Sequence, residues 1–128
     1  KDTAGSQQLC VGILGGGGKT ALLHRLGNEL ACEHAPVILS SLTKAGISAQ
    51  HPVHLYAEFA AEETREDLLQ ENPVYIMQDY EHAEKLLGLA EAELFELLQA
   101  SAMTVFECDG ARKRPLKAHQ PFDPVMPH

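Results

Sequence analysis

The chain has 128 residues, 45% of them hydrophobic, which is enough for one ordinary core, so a single domain over residues 1–128 is expected. Eighteen acidic against ten basic residues give a net charge of −8, which argues against nucleic acid or a membrane surface as a general partner. No apolar stretch reaches the roughly 18 residues of a membrane span, no signal core follows a charged N-terminus, and the widely spaced Cys10, Cys32 and Cys108 point away from a disulfide framework or structural zinc. A cytoplasmic protein is the expectation.

After a polar start at Lys1 to Gln8, Leu9 to Leu14 is a continuous apolar run of the kind buried on both faces of a parallel sheet. Gly15, Gly16, Gly17 and Gly18 follow, then Lys19 and Thr20, then an amphipathic segment in which Leu22, Leu23, Leu26 and Leu30 recur at helical spacing and His24, Arg25 and Glu29 fall mostly outside the stripe. This reads as strand, phosphate loop and helix. Successive glycines let peptide N–H groups approach an anion without a Cβ in the way, and the helix start aims its unpaired N–H groups at the same place. Lys19 adds a charge for terminal phosphates and Thr20 a hydroxyl suited to Mg²⁺. The spacing fits G-x-x-G-K-T from Gly15 to Thr20, with Ile13 where the longer G-x-x-x-x-G-K-[ST] pattern has its first glycine. A shortened loop of this kind resembles that of the Mur ligases and folylpolyglutamate synthetases, which also hold ATP.

Val37 to Leu39 restarts an apolar run that ends in Ser40, Ser41, Leu42, Thr43 and Lys44. Strand, helix and strand make a βαβ unit with parallel strands, and ligands bind such sheets beyond the carboxyl ends. Thr43 and Lys44 would then face the glycine loop. From Ala45 to Asn72 the pattern is weak, with Leu55, Phe59, Leu68 and Leu69 able to cover the sheet; the close histidines His51 and His54 sit in a proline-containing loop. Val74 to Met77 reads as a third strand near an edge, Glu81 to Leu87 and Glu91 to Ala100 as two helical pieces separated at Gly88, and Met103 to Phe106 as a fourth strand. That strand delivers Glu107 and Asp109 to a glycine turn at Gly110, a Walker-B-like arrangement in which one carboxylate holds Mg²⁺ and the other orients a water or substrate. Arg112, Lys113, Arg114 and Lys117 form a basic island in an acidic chain, and Pro115, Pro121, Pro124 and Pro127 make the tail extended, with no closing element after it.

VGILGGGGKTALLHRLGNEL together with FECDGARKRPLKAHQPFDPVMP resembles the selenium-dependent hydroxylase accessory proteins of the YqeC type, whose pattern is V-G-x-G-G-K-T-T and E-A-D-G-S-R…P-L-K-x-P…E-P-V-I-P. EKLLGLAEAEL is similar to the family's K-L-x-G-L-x-P-E-x-L. Gly15, Gly17, Gly18, Lys19 and Thr20 match the loop; Glu107, Asp109, Gly110, Arg112, Pro115, Leu116 and Lys117 match the acidic-basic motif; Pro124, Val125 and Pro127 match the ending. Ala21 replaces a frequent threonine, Cys108 replaces alanine, Asp123 stands for glutamate, and the family's T-T-T-T-K keeps only its last two residues, as Thr43 and Lys44.

The resemblance implies a role in maturing molybdenum hydroxylases that carry selenium, with ATP or another nucleotide and Mg²⁺ as cofactors. It also implies a molybdenum cofactor or a hydroxylase client as partner. Family members continue past this ending, so the chain is expected to be the N-terminal part of a longer family domain. The expected fold is α/β, a three-layer phosphate-loop NTPase-like domain with a mostly parallel sheet, incomplete at the C-terminus. Lys19, Glu107 and Asp109 are the catalytic candidates. Gly15 to Thr20, Thr43, Lys44, Arg112 and Lys117 are candidates for nucleotide binding, and Thr20, Glu107 and Asp109 for the metal. Three functional readings stay open: an ATP-dependent accessory enzyme, a binding module or chaperone without chemistry for a nucleotide or molybdopterin nucleotide, and a Mur-like ligase.

Overall fold

A computed structural model describes residues 9–14, 19–47, 50–108 and 122–125, with the backbone alone at 19–20 and 122–125. The strands are β1 (Leu9–Ile13), β2 (Val37–Ser41), β3 (Ala45–Gly46), β4 (Val53–Leu55), β5 (Val74–Met77), β6 (Asp79–His82), β7 (Lys85–Leu87), β8 (Met103–Glu107) and β9 (Phe122–Val125). The helices are α1 (Lys19–Ala31), α2 (Tyr56–Ala60), α3 (Glu62–Leu68) and α4 (Glu91–Ala100). Six strands form one sheet in the order β9-β1-β8-β2-β5-β4, every neighbouring pair parallel. A small antiparallel sheet, β3-β7-β6, stands beside it.

The central strands are buried at nearly every position because helices cover both faces. Alternation sorts their side chains. Val37, Leu39, Tyr75, Met77, Val105 and Ile13 pack with Leu23 of α1 on one side. Ile38, Val74, Ile76 and Phe106 pack with Phe59 of α2, Leu68 of α3 and Leu94, Leu97 and Leu98 of α4 on the other. The result is three layers, as expected for an α/β chain. Asn72 fastens one corner: its Nδ2 donates to the carbonyls of Ala31 (3.2 Å) and His34 (2.8 Å) at the end of α1, while its Oδ1 accepts from the Val37 N–H (2.8 Å).

Several expectations are corrected. Val74–Met77 is an interior strand, fully buried, because Val53–Leu55 pairs along its outer side and makes the edge. Glu81 to Leu87 is a hairpin rather than a helix: Tyr80 pairs with Leu86, whose side chain is buried in the core below α1, while β6 faces water. Only two leucines supplied its apolar signal, too few to fix a period, and pairing with Ala45–Gly46 decided the outcome. His24 is fully buried rather than outside the α1 stripe. The weak stretch from Ala45 to Asn72 holds β3, β4, α2 and α3.

Of the proline-rich tail only Phe122–Val125 is described, and it adds an element: it lies parallel to β1 at the end of the strand order, where Pro124 needs no partner on its nitrogen side. No helix among the described residues is long and apolar enough to cross a membrane.

Candidate functional site

Parallel pairing brings three strand ends into line. Ile13, the last residue of β1, pairs with Glu107, the last residue of β8, and Glu107 pairs on its other side with Ser41 of β2. The alignment continues past the strands: the Leu42 N–H donates to the Glu107 carbonyl (2.8 Å) and the Cys108 N–H to the Ile13 carbonyl (3.1 Å). By alternation Ile13, Ser41 and Glu107 share the α1 face, and Glu107 is only 3% exposed. A carboxylate is therefore set into the carboxyl edge of the sheet, beside the strand that enters the glycine stretch. The next described element after that stretch is α1, which opens at Lys19 and Thr20.

The polar loop after β2 is closed on itself. Ser41 Oγ donates to the Thr43 carbonyl (2.9 Å), accepts from the Thr43 N–H (3.0 Å) and lies 3.1 Å from Thr43 Oγ1. The β6–β7 hairpin is fitted against this loop. A Cβ on Gly88 would lie 2.5 Å from the Leu42 carbonyl carbon and 2.6 Å from the Thr43 nitrogen, and the Leu89 N–H donates to the Ser41 carbonyl (2.8 Å). Lys44 Nζ reaches Glu81 Oε1 of the hairpin at 2.8 Å across exposed surface, and that contact holds the Glu81 carboxyl below its ordinary range.

Beneath the same face lies a polar cluster that the sequence pattern did not single out. His51 Nε2 is 3.0 Å from Asn28 Oδ1, which can only accept, so this nitrogen of His51 carries the proton. Its Nδ1 is then an acceptor for His24 Nδ1–H at 2.5 Å. The two rings meet edge to edge, 21° from coplanar with centroids 4.8 Å apart, and His24 also meets the Tyr75 ring edge-on at 4.8 Å. Burial and then the neighbouring His51 lower the His24 ionisation to about 4. Burial, and then the charge of Glu107, push the Tyr75 phenol up to about 12. His24 Nε2 and Tyr75 Oη are buried and meet no hydrogen-bond partner among the described residues. The i, i+4 spacing of His24 and Asn28 on α1 was visible in the sequence, but nothing there pointed to His51 as the partner of both.

Among the sequence-predicted residues, the structure thus brings Glu107 to the end of β1 and places Thr43 and Lys44 in the loop beyond β2, two strands away from β1. Gly15, Gly16, Gly17, Gly18, Asp109, Arg112 and Lys117 lie outside the described residues, as do the side chains of Lys19 and Thr20. Among the described residues no group of three or more His, Cys, Asp or Glu is arranged to hold a metal ion. His51 and His54 do not act together: His54 lies 3.3 Å from Glu58 and 2.8 Å from Glu71. Cys10 is buried and its thiol is raised to about 11 by desolvation, the state of an inert core cysteine.

No curated protein matches the chain, and no solved structure does. The family described as YqeC protein matches residues 11–128, from the first strand through the proline-rich ending, a membership consistent with an accessory role for selenium-dependent hydroxylases. The chain belongs to the YqeC family.

Proposed function

We propose that the chain is a nucleotide-binding accessory protein acting in the maturation of selenium-dependent molybdenum hydroxylases, with ATP or a related nucleotide and Mg²⁺ as its ligands. The observation that carries this reading is the register of Ile13 against Glu107: a buried carboxylate stands beside the exit of the strand that leads into four glycines, Lys19 and Thr20. Such an edge is where open α/β sheets take their ligands. Gly15 to Gly18 would cradle phosphates through backbone N–H groups, with Lys19 balancing the charge of the terminal phosphate.

Magnesium suits this donor set. It takes oxygen ligands, commonly one or two carboxylates with the rest from phosphate and water, and Glu107 supplies such an oxygen at the sheet edge. Thr20 and Asp109 are the other candidates, and the ion would shield phosphate charge. Thr43 and Lys44 would add to nucleotide binding, and Arg112 and Lys117 would hold a second anionic group. The cytoplasm is the proposed location and a molybdenum cofactor or hydroxylase client the proposed partner.

Calorimetric titration with a panel of nucleotides, molybdopterin nucleotides included, with and without Mg²⁺, tests the reading. Binding should be lost in Lys19→Ala, and its Mg²⁺ dependence should be lost in Glu107→Gln. If the unmodified chain binds none of the panel, the reading is wrong. Phosphate release in the presence of client then separates an enzyme from a binding module.

A further inference from the structure

We propose that the water-facing side of the antiparallel sheet binds a phosphate group of a small molecule through Lys44, Lys85 and His82, and that Glu81 is a built-in anion which the ligand displaces. The inference rests on the nucleotide reading above only for which molecule carries that phosphate. Register and alternation put the three donors on one side. Leu86 of β7 and Ala45 of β3 are opposite each other and buried in the core, so Lys85 and Gly46, the next opposed pair, face outward. His82 of β6 is opposite Lys85 on its other side. Lys44, one step before β3, lies on the diagonal to Lys85, a spacing that long side chains span. The face stands next to the ligand edge of the main sheet, because Gly88 after β7 is seated on Leu42 and Thr43, and the Leu42 N–H bonds to the Glu107 carbonyl.

Glu81 is where the small sheet departs from regular pairing. Tyr80 is opposite Leu86 and His82 opposite Lys85, so Glu81 is the extra residue of a β-bulge, a device that re-aims a side chain. Its carboxylate reaches across the middle strand to Lys44 Nζ at 2.8 Å. The Lys44 hydrogen bond, and then the charges of Lys44, His82 and Lys85, hold that carboxyl below its ordinary range. Folding does not account for the bulge, since an exposed ion pair contributes little. The surroundings are open: a Cβ on Gly46, beside Lys85, would meet nothing within 4 Å. His82 Nδ1 accepts the Glu84 N–H (3.2 Å), which leaves Nε2–H as the outward donor. Two more carboxylates stand at the margins. Asp79 is opposite Leu87 with its Oδ1 on the Tyr80 N–H (2.7 Å), and Glu84 lies between β6 and β7. A phosphate group brings nearly two charges and three acceptor oxygens to the three donors, and so outcompetes a single carboxylate.

The test is titration of the whole chain with inorganic phosphate at low salt, followed by NMR of the His82 ring and the Lys85 side chain. Both sets of signals should shift together. The affinity they report should rise roughly two- to fivefold in Glu81→Gln and fall by a similar factor when Lys85→Ala is added to it. Glu66→Gln on α3 makes the same change in net charge and should leave the affinity where it was. Unmoved His82 and Lys85 signals in Glu81→Gln, or an equal gain in Glu66→Gln, overturn the proposal. Mg·ATP separates the sources. Shifts at the same signals, weakened by Lys85→Ala, assign the phosphate to the nucleotide; shifts elsewhere, with phosphate still taken up on top, assign it to a second substrate. A chain that binds no nucleotide refutes the functional reading by itself, and the response to inorganic phosphate still decides the site.

Discussion

His24 on α1 and His51 in the loop before β4 face each other through their Nδ1 atoms at 2.5 Å, one ring donating and the other accepting. The bond needs His51 Nδ1 without a proton: protonating His51 sets two N–H groups against each other. Burial lowers the ionisation of both, His24 to about 4, while Glu71 partly offsets the shift at His51. Tyr75 and Asn28 are the other polar groups against the pair, and both are uncharged at neutral pH.

A folded-state value below the unfolded one means that the unfolded chain takes up protons first. Stability is therefore full above about 6.5 and declines as pH falls toward 4. His24 alone accounts for about 2 kcal/mol lost between pH 7 and pH 5. Urea unfolding midpoints across that range should fall in the unmodified chain and fall less in His24→Leu.

Gly88 touches the backbone of Leu42 and Thr43 with no room for a methyl group. Backbone atoms in a loop already closed by Ser41 and Thr43 cannot retreat as a flexible side chain would. Gly88→Ala should cost about 1–3 kcal/mol in urea unfolding. It should also weaken whatever contact Thr43 and Lys44 make with ligand, read in the same calorimetric titration. A midpoint equal to that of the unmodified chain would show that the hairpin is not seated on this loop.

Asn72 satisfies the carbonyls of Ala31, which closes α1, and of His34 beyond it, and the first N–H of β2, with one side chain. Asn72→Ala should destabilise the chain by about 2 kcal/mol, since three backbone groups lose their partner. Asn72→Asp should not restore it, because a carboxylate cannot donate to the carbonyls of Ala31 and His34. Chemical denaturation of both variants checks this.

Lys44 and Glu81 form an exposed ion pair, so its contribution to folding is small. Its larger effect falls on Lys44 as a ligand-binding group, because Glu81 competes with any anion for the ammonium. In Glu81→Gln the unfolding midpoint should stay put while nucleotide affinity at low salt rises roughly two- to fivefold. The gain should shrink as salt is added. An unchanged affinity would remove Lys44 from the site.

The elements that depend on local chemistry can be read along the chain. The apolar runs Leu9 to Leu14, Val37 to Leu39 and Met103 to Phe106 read as strands because such runs can be buried on two faces, and each lies in a strand to within two residues; Leu94, Leu97 and Leu98 at helical offsets made α4 legible. The acidic strand end was legible for the same reason, and so was the family.

Tertiary structure decided what local signals leave open. Short apolar runs carry no period of their own, so the hairpin at Asp79–Leu87 was settled by its partner Ala45–Gly46, and the interior place of Val74–Met77 by the arrival of Val53–Leu55. The polar cluster of His24, His51 and Tyr75 is drawn from three separate segments. Each of its members looked like a solvated or packing residue along the chain, and only the packing of α1 on the sheet took His24 and Tyr75 out of water and brought the half-buried His51 onto them.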